Sequence, residues 1–384
     1  MNLPSPTYGW LVIFGVFLGN ALMDGILLSF GALLIEIQEA FELSKLKTAF
    51  AGSSLTGVAL LSCIGAEILS KKLSFRQIIS LGTALSCAGI FVSSWIYQFE
   101  GFIVVFGVIC GIGLGLNFQA INIQIPIWFP TNCAVTSGLA VCGSSVGCSV
   151  FNPLITYLIS VYSWRGAILI MSAIHLNCFV CAAILKKKFF PTISAEIEKL
   201  SVPNEDARKG FINDLISVCK SPIALIICLS VFLLSIGYFI PFQFLIDYAV
   251  IELNIPKPKA AFVMTIYGFT NMVFRILAGI SVEVIVLKYP PIIHRSYTIS
   301  LTLCGIILTL VSVMRTYEAL VAFSVTYALF NGVFCDLTGS YFWTFFIAGS
   351  TMTLSGLICL PLHLMMNCEP KKSVSYEITN NFVE

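Results

Sequence analysis

Long apolar stretches separated by short polar ones dominate the chain. Six of them occupy the first half, and each has the roughly 20 residues that a helix needs to cross the hydrocarbon core of a bilayer. Lipid is the solvent that fits such helices, because one soluble core cannot bury so much apolar surface. The pattern predicts six membrane-spanning helices, over residues 10–34, 49–69, 78–96, 102–125, 136–160 and 167–185.

The second half continues this pattern after a long polar interval. Further spans are expected over residues 223–246, 261–286, 297–314, 318–334 and 343–366, so we predict an all-α integral membrane protein with about 11 transmembrane helices in two bundles. The expected parts are an N-terminal six-helix bundle (1–188), a cytoplasmic linker loop (189–220), a C-terminal bundle of about five helices (221–367) and a polar tail (368–384).

Basic residues indicate which loops face the cytoplasm. Lys71, Lys72 and Arg76 follow the second stretch, and a larger basic cluster that begins with residues 186–188 follows the sixth. Lys and Arg concentrate in the cytoplasmic loops of membrane proteins. Both loops, and with them the N-terminus, are therefore expected on the cytoplasmic side.

Composition narrows the class further. Of the 384 residues, 58% are hydrophobic and 10% are charged, with a net charge of +2. So small a charge argues against nucleic acid as a partner and leaves the lipid bilayer. Cys178 and Cys181 form a C-x-x-C, but they lie within a span, so buried thiols are favoured over a redox or metal site. We expect no metal and no cofactor.

Polar and ionisable residues inside a span are the first candidates for function, because each is costly to hold in lipid. Arg275 lies within the stretch 261–286, with Asn271 one turn earlier on the same helical face, and Asp24 lies within the first stretch. Alternating access requires such groups near the midplane, where two bundles meet. The competing interpretation is that Arg275 merely pairs with Asp24 or with a backbone carbonyl.

Three further polar residues inside spans also have two interpretations. Gln119 and Asn122, three residues apart on one face of the fourth stretch, either line a polar cavity or bond neighbouring helices, and the second interpretation is slightly favoured. His175 stands alone in the sixth stretch, where an interhelical hydrogen bond is favoured over a proton relay.

Five residues are expected near the membrane boundaries. Glu67, Asp247 and Glu283 fall close to the ends of their stretches, where solvated carboxylates are favoured over functional ones. Trp164 and Arg165 are expected to anchor the outer boundary, as amphipathic rings and long cationic side chains do.

A series of motifs, in a specific order, resembles one known family, the monocarboxylate transporters within the major facilitator superfamily. The motifs are Tyr8-Gly9-Trp10, Trp128-Phe129, Ser137-Gly138-Leu139-Ala140, Gly143-Ser144-Ser145-Val146-Gly147, Tyr162-Ser163-Trp164-Arg165-Gly166-Ala167, Gly268-Phe269-Thr270-Asn271 and Asp336-Leu337-Thr338-Gly339-Ser340-Tyr341.

The resemblance implies a major facilitator fold that moves small monocarboxylates or related polar metabolites by alternating access, as a secondary active or facilitative carrier, and not an enzyme. It implies that Arg275 grips a substrate carboxylate. Proton-coupled members have an aspartate at the position of Asn271, and members that carry lactate-like acids have a lysine at that of Leu28. An amide cannot titrate, so a co-transported proton is left open.

The resemblance also implies structural and gating elements, partners and a location. From it we expect a location in the plasma membrane and a small organic anion as substrate. Some members of the family also require a single-span glycoprotein chaperone. The residues that it places in structural or gating motifs are Trp164, Arg165, Lys72, Arg76, Gly138 and Gly147.

The chain departs from the family near its C-terminal end. Residues 328–334 resemble the middle of the tenth helix, and Cys335-Asp336 follows at once, so one span fewer than the usual 12 is expected. The alternative hypothesis is a transport-inactive, shortened isoform that associates with full-length carriers. A membrane-embedded hydrolase is disfavoured, because no paired carboxylate, His-rich metal motif or Ser-His arrangement has usable spacing.

Overall fold

The computed structural model describes residues 6–70, 72–129, 133–185, 239–286 and 302–330, the last without 304 and 312. This part of the chain is helical and contains no strand. Helices suit a bilayer, because each satisfies its backbone hydrogen bonds within its own segment. The predicted linker 189–220 and tail 368–384 lie outside the described residues, so the domain boundaries stay predictions.

The helices follow one another closely along the chain, and one short π-helical segment, Ile103–Ile109, interrupts them. Their bounds are α1 Pro6–Leu27, α2 Phe30–Ala40, α3 Lys45–Ser70, α4 Phe75–Ser93, α5 Phe99–Phe102, α6 Cys110–Asn122, α7 Gln124–Trp128, α8 Cys133–His175, α9 Cys178–Ile184, α10 Ile240–Ile251, α11 Lys257–Val286 and α12 Tyr317–Phe330.

Six helical segments of the described residues are long and apolar enough to cross a membrane. Ile240–Ile251 is a shorter apolar helix. The predicted all-α membrane fold is therefore confirmed, whereas the total of about 11 spans stays a prediction. The six segments are Tyr8–Ala40, Lys45–Ser70, Phe75–Ser93, Phe99–Trp128, Val135–Ile184 and Lys257–Leu277.

The segment Val135–Ile184 contains two of the predicted spans. Its 50 residues exceed the roughly 20 that one crossing needs. Ser163 divides it, because its φ of 60° and ψ of 172° are not helical. The chain thus turns where the sequence predicts the loop between residues 160 and 167.

Glycines allow α8 to approach α1 closely. A Cβ added at Gly143 would overlap the carbonyl oxygen of Phe17, and one added at Gly147 would overlap that of Ala21. In lipid, where apolar surface alone does not drive helices together, small residues permit this backbone contact. Gly138, also in α8, is half-buried.

The opposite side of α8 packs against α11. The Ser149 hydroxyl donates to the Thr265 carbonyl at 3.2 Å, and the Thr265 hydroxyl donates to the Ser149 carbonyl at 3.1 Å. Gly268 of α11 has no room for a Cβ beside Ser145 and Ser149. Because α8 lies in the first half of the chain and α11 in the second, this contact joins the two halves.

The expectation that Asp247 is a solvated helix end is wrong. Its side chain is 0% exposed, and its Oδ2 lies 3.4 Å from the Lys45 ammonium. The cause is the packing of α10 on α2, where Gly31 contacts the backbone of Phe242. Glu67 is exposed, and the side chain of Glu283 lies outside the described residues.

Candidate functional site

A cavity of about 250 Å³ lies among α1, α3, α6, α8 and α11. This volume is small for a ligand site and suits a small solute. Its wall is mostly apolar with a few polar groups, as is usual for pockets that orient a ligand. The described residues that line it are Asn20, Asp24, Leu27, Leu28, Thr56, Ala59, Leu60, Cys63, Leu114, Gly115, Phe118, Asn122, Val141, Ser144, Phe239 and Arg275.

Arg275 brings a positive charge from α11 to this cavity. Its Nη1 donates to the backbone carbonyl oxygen of Val141 in α8 at 3.0 Å. A guanidinium has five N–H donors, and this is the one hydrogen bond that it makes with the described residues. Pairing with a backbone carbonyl therefore accounts for part of its donor capacity, and the remaining donors suit an anionic group.

Asp24 brings a negative charge from α1 to the same cavity. Its Oδ2 accepts a hydrogen bond from the hydroxyl of Ser144. Asp24 and Arg275 interact electrostatically, but the ion pairs formed by the described residues do not include a contact between them. Opposite charges from the two halves of the chain thus share one cavity without neutralising each other by direct contact.

Two amides join α1 to α6 beside these charges. Asn20 Nδ2 donates to Asn122 Oδ1 at 3.0 Å, and Asn122 Nδ2 donates to Asn20 Oδ1 at 3.0 Å. Asn20 is fully buried and Asn122 is half-buried. Asn122 therefore lines the cavity and also bonds a neighbouring helix, so the two interpretations do not exclude each other.

Asn271 and Gln119 are not among the described residues that line the cavity. Asn271 is 5% exposed and links three helices: its Oδ1 accepts from Ser145 at 2.7 Å, and its Nδ2 donates to the Ala328 carbonyl at 2.8 Å. Gln119 is half-buried on α6. A spacing of three residues places it about 60° around the helix from Asn122, which suffices to turn it away.

His175 makes the interhelical hydrogen bond that its solitary position predicts. Its Nε2 lies 2.9 Å from the hydroxyl of Ser86 on α4, and its Nδ1 lies 3.8 Å from Cys178 Sγ. Cys178 and Cys181 are buried free thiols.

Arg165 holds the turn of α8 to the end of α4. Its Nη1 donates to the carbonyl oxygens of Ser94 and Ile96 at 2.7 and 2.9 Å, and its guanidinium stacks 4.4 Å from the centre of the Tyr97 ring. Three contacts from one rigid fork fix the loop. This residue anchors a turn, as expected for a structural element.

Trp164 differs from an interfacial anchor. It is only 8% exposed and packs at 5.8 Å from Phe41 and 6.0 Å from Phe102, measured between ring centres. It therefore fills the core beneath the loops instead of facing lipid headgroups. Lys72 and Arg76, at the predicted cytoplasmic loop, are both exposed.

Two ion pairs join the halves at the face that the basic residues mark as outer. Lys257 Nζ of α11 lies 2.5 Å from Glu36 Oε1 of α2, and Lys45 of α3 pairs with Asp247 of α10. Both cross from the first half of the chain to the second. They bring the outer ends of the helices together.

Some residues of the cavity escaped the sequence analysis, notably Asn20, Ser144, Thr56 and Phe239. A signal existed for Asn20, which lies four residues before Asp24 and so on the same face of α1. Ser144 lay in a glycine-rich motif that indicated packing. Nothing in the residue types of Thr56 and Phe239 points to the cavity, because the rotation of each helix decides which of its residues face it.

The sequence matches a model of the Major Facilitator Superfamily over residues 9–360. Among curated proteins it is similar to monocarboxylate transporter 12-B of Danio rerio, with 24% identity over 95% of this chain and 89% of the relative. It is also similar to monocarboxylate transporter 13 of Rattus norvegicus, with 27% identity over 86% of this chain and 73% of the relative. The family resemblance inferred from the motifs is confirmed.

Among solved structures the chain resembles the partially occluded, inward-open conformation of the xylose transporter XylE from E. coli. The TM-score is 0.64 at 12% identity, over 95% of this chain and 100% of that one. A D-xylose-proton symporter matches with a TM-score of 0.58 at 14% identity, over 93% and 89% of the two chains. At such identities the likeness concerns the fold.

Proposed function

Because this chain belongs to the Major Facilitator Superfamily, we propose that it carries small monocarboxylates or related polar metabolites through the cavity around Arg275. It is a multi-pass integral membrane protein that moves a small molecule across the membrane by alternating access, and it is not an enzyme. The substrate class and the role of each cavity residue are the proposal.

The position of Arg275 carries this proposal. Its guanidinium lines a mostly apolar cavity, where a charge in a low-dielectric setting binds an opposite charge more strongly than in water. A planar fork of N–H donors matches a carboxylate with two parallel hydrogen bonds. The single bond to Val141 positions the side chain and leaves donors for that grip.

Whether transport is coupled to protons depends on which side chain at the cavity can titrate. The amide of Asn271 cannot titrate, and it is hydrogen-bonded to Ser145 and to the carbonyl of Ala328. Asp24 is the carboxylate among the described lining residues. Among the described lining residues, Asp24 is therefore the group that would carry a co-transported proton, whereas a facilitative carrier would need none.

Uptake by the purified full-length chain in proteoliposomes tests the role of Arg275. We expect Arg275→Ala to lower kcat/KM for a transported carboxylate by about 10- to 100-fold, the range that corresponds to losing a charged hydrogen bond of about 1.5–3 kcal/mol. Arg275→Lys should recover only part of this loss, since an ammonium cannot form the two-pronged contact.

Lys259→Ala is the matched control, because it removes an exposed positive charge from the same helix, outside the cavity. It should transport like the unmodified chain. Elution from a sizing column in detergent shows whether each variant is folded. Unchanged carboxylate uptake by a folded Arg275→Ala variant would refute the assignment.

We also propose the plasma membrane as the site of the protein and a single-span glycoprotein as its chaperone. Both rest on the resemblance to monocarboxylate transporters alone. Surface labelling of cells with and without such a chaperone tests them. An intracellular location that the chaperone leaves unchanged would contradict both.

The alternative hypothesis is a transport-inactive form that associates with full-length carriers. The same assay separates the two hypotheses, because purified protein contains no other carrier. Saturable uptake excludes the alternative, and a folded chain without uptake of any tested solute favours it.

A further inference from the structure

The described part of the wall around Arg275 carries one charge of each sign. Among the described residues that line it, Arg275 is the cation and Asp24 is the anion. They come from α11 and α1, and no contact ion pair joins them in the described part of the chain. The two charges therefore stand apart, with a space lined by both.

Each charge is positioned by a partner in α8. Val141 holds Arg275 through its carbonyl oxygen, and Ser144 holds Asp24 through its hydroxyl. These contacts leave the guanidinium with further donors and the carboxylate with further acceptor positions, since a carboxylate accepts about four hydrogen bonds. Both side chains are half-buried and line the cavity, so the remaining positions can face a solute there.

A simple anion fits this arrangement poorly. Its carboxylate would meet Arg275, but together with the charges of the described lining residues this would place two negative charges and one positive charge in a mostly apolar wall. Like charges repel strongly where the dielectric is low, and an uncompensated charge is costly within a membrane. A solute with one charge of each sign would pair with both of these side chains and add no net charge to them.

We propose that the solute is a small zwitterion, with its carboxylate on Arg275 and an ammonium or guanidinium group on Asp24. Its short apolar body packs against the apolar part of the cavity lining, which includes Leu27, Leu60 and Phe118. The volume of about 250 Å³ limits that body to a few carbon atoms. The inference rests on the proposed function and specifies the substrate class of the same site.

Four-carbon solutes that differ only in charge test this inference. Uptake of radiolabelled butyrate, 2-aminobutyrate, 4-aminobutyrate and butylamine is measured with the full chain in proteoliposomes. We expect at least one of the two zwitterions to have a kcat/KM at least ten-fold above both butyrate and butylamine. Asp24→Asn should lower zwitterion uptake at least ten-fold and leave or raise that of butyrate, and Asp24→Glu should restore part of the preference.

Glu67→Gln is the matched control, because it neutralises an exposed carboxylate on α3 that does not line the cavity. It should keep the selectivity of the unmodified chain. The selectivity of the unmodified chain decides the question even if an Asp24 variant does not fold.

The outcomes separate this inference from the proposed function. Preference for butyrate overturns the inference and leaves the proposed function intact. Proton-driven butyrate uptake that Asp24→Asn abolishes also overturns it, because Asp24 would then carry a proton and not bind a cation. Failure to carry any carboxylate, zwitterionic or simple, refutes the proposed function and the inference with it.

Discussion

Asn271 illustrates how neighbouring residues on one helix take different roles. It precedes Arg275 by one turn of α11, and both were candidates for binding substrate. The structure places only Arg275 at the cavity, whereas both ends of the Asn271 amide are bonded to other helices. We therefore expect Asn271 to support the contact of α8, α11 and α12, which holds Arg275 in place.

Replacing Asn271 by Ala should destabilise the protein more than it weakens binding. The change removes this hydrogen-bond partner from the buried Ala328 carbonyl and from the Ser145 hydroxyl. Each loss lowers the free energy of unfolding by up to about 3 kcal/mol. Thermal unfolding in detergent should show a lower Tm, while KM stays within about twofold of the unmodified value, as for a residue outside the site.

Ser145→Ala is the control for this prediction, because it removes only one of the two hydrogen bonds. Its loss of Tm should be smaller. An unchanged Tm together with a strongly raised KM would show instead that Asn271 contacts the substrate.

At the scale of helices, the outer ion pairs connect elements that alternating access must separate. Glu36–Lys257 joins α2 to α11, and Lys45–Asp247 joins α3 to α10. The first pair is partly exposed, with 21% of Glu36 and 42% of Lys257 accessible, so solvent and salt weaken it. In the second pair the Asp247 side chain is fully buried, so solvent and salt weaken this pair less. We expect both to favour the state that is closed at this face.

Loss of either pair should make the cavity more accessible from outside. Cys63 lines the cavity and is a free thiol, so its reaction with a membrane-impermeant maleimide on intact cells reports access. Lys257→Ala should raise the rate up to about fivefold, which corresponds to a surface pair of up to about 1 kcal/mol. Lys45→Ala should raise it further, because the carboxylate that it leaves is buried.

Exchange of charges supplies the control. Glu36→Lys alone should raise the labelling rate, and adding Lys257→Glu should return it towards the original value, because the pair is restored with reversed polarity. Cys63→Ser defines the background from other thiols. Equal rates in all of these variants would show that the ion pairs do not hold this face closed.

At the scale of the whole molecule, the number of spans decides on which side the chain ends. The described residues contain six span-length segments, and the sequence predicts about 11 spans in all. An odd number places the two ends of the chain on opposite faces. The tail, with Lys371 and Lys372, would then lie outside, against the usual distribution of positive charge.

A tag at the C-terminus tests the predicted layout. With eleven spans, an antibody added to intact cells should label the C-terminal tag, whereas an N-terminal tag should become accessible only after the membrane is permeabilised. A C-terminal tag that is also hidden until permeabilisation would require an even number of spans.

Much of the fold could be predicted from the sequence because a bilayer imposes simple rules. A spanning helix must be about as long as the lipid layer is thick and must carry few charges. Apolar stretches of that length in the sequence coincide with the six segments of the described residues. The turn near Ser163 was expected from a polar break between two apolar stretches. Burial of Asp247 was not expected, because proximity to a helix end does not reveal which helix covers it.

The sequence by itself determined that this is a membrane carrier of a known superfamily, and it indicated Arg275 as the main candidate among the cations within predicted spans. Both conclusions depend on residue type and order along the chain, since a charge in lipid is costly wherever its helix lies. Only the tertiary structure decided that Asp24 faces the same cavity, and that Asn271 and Gln119 do not line it. Those relations depend on how each helix is rotated and which helices meet, and a single sequence records neither.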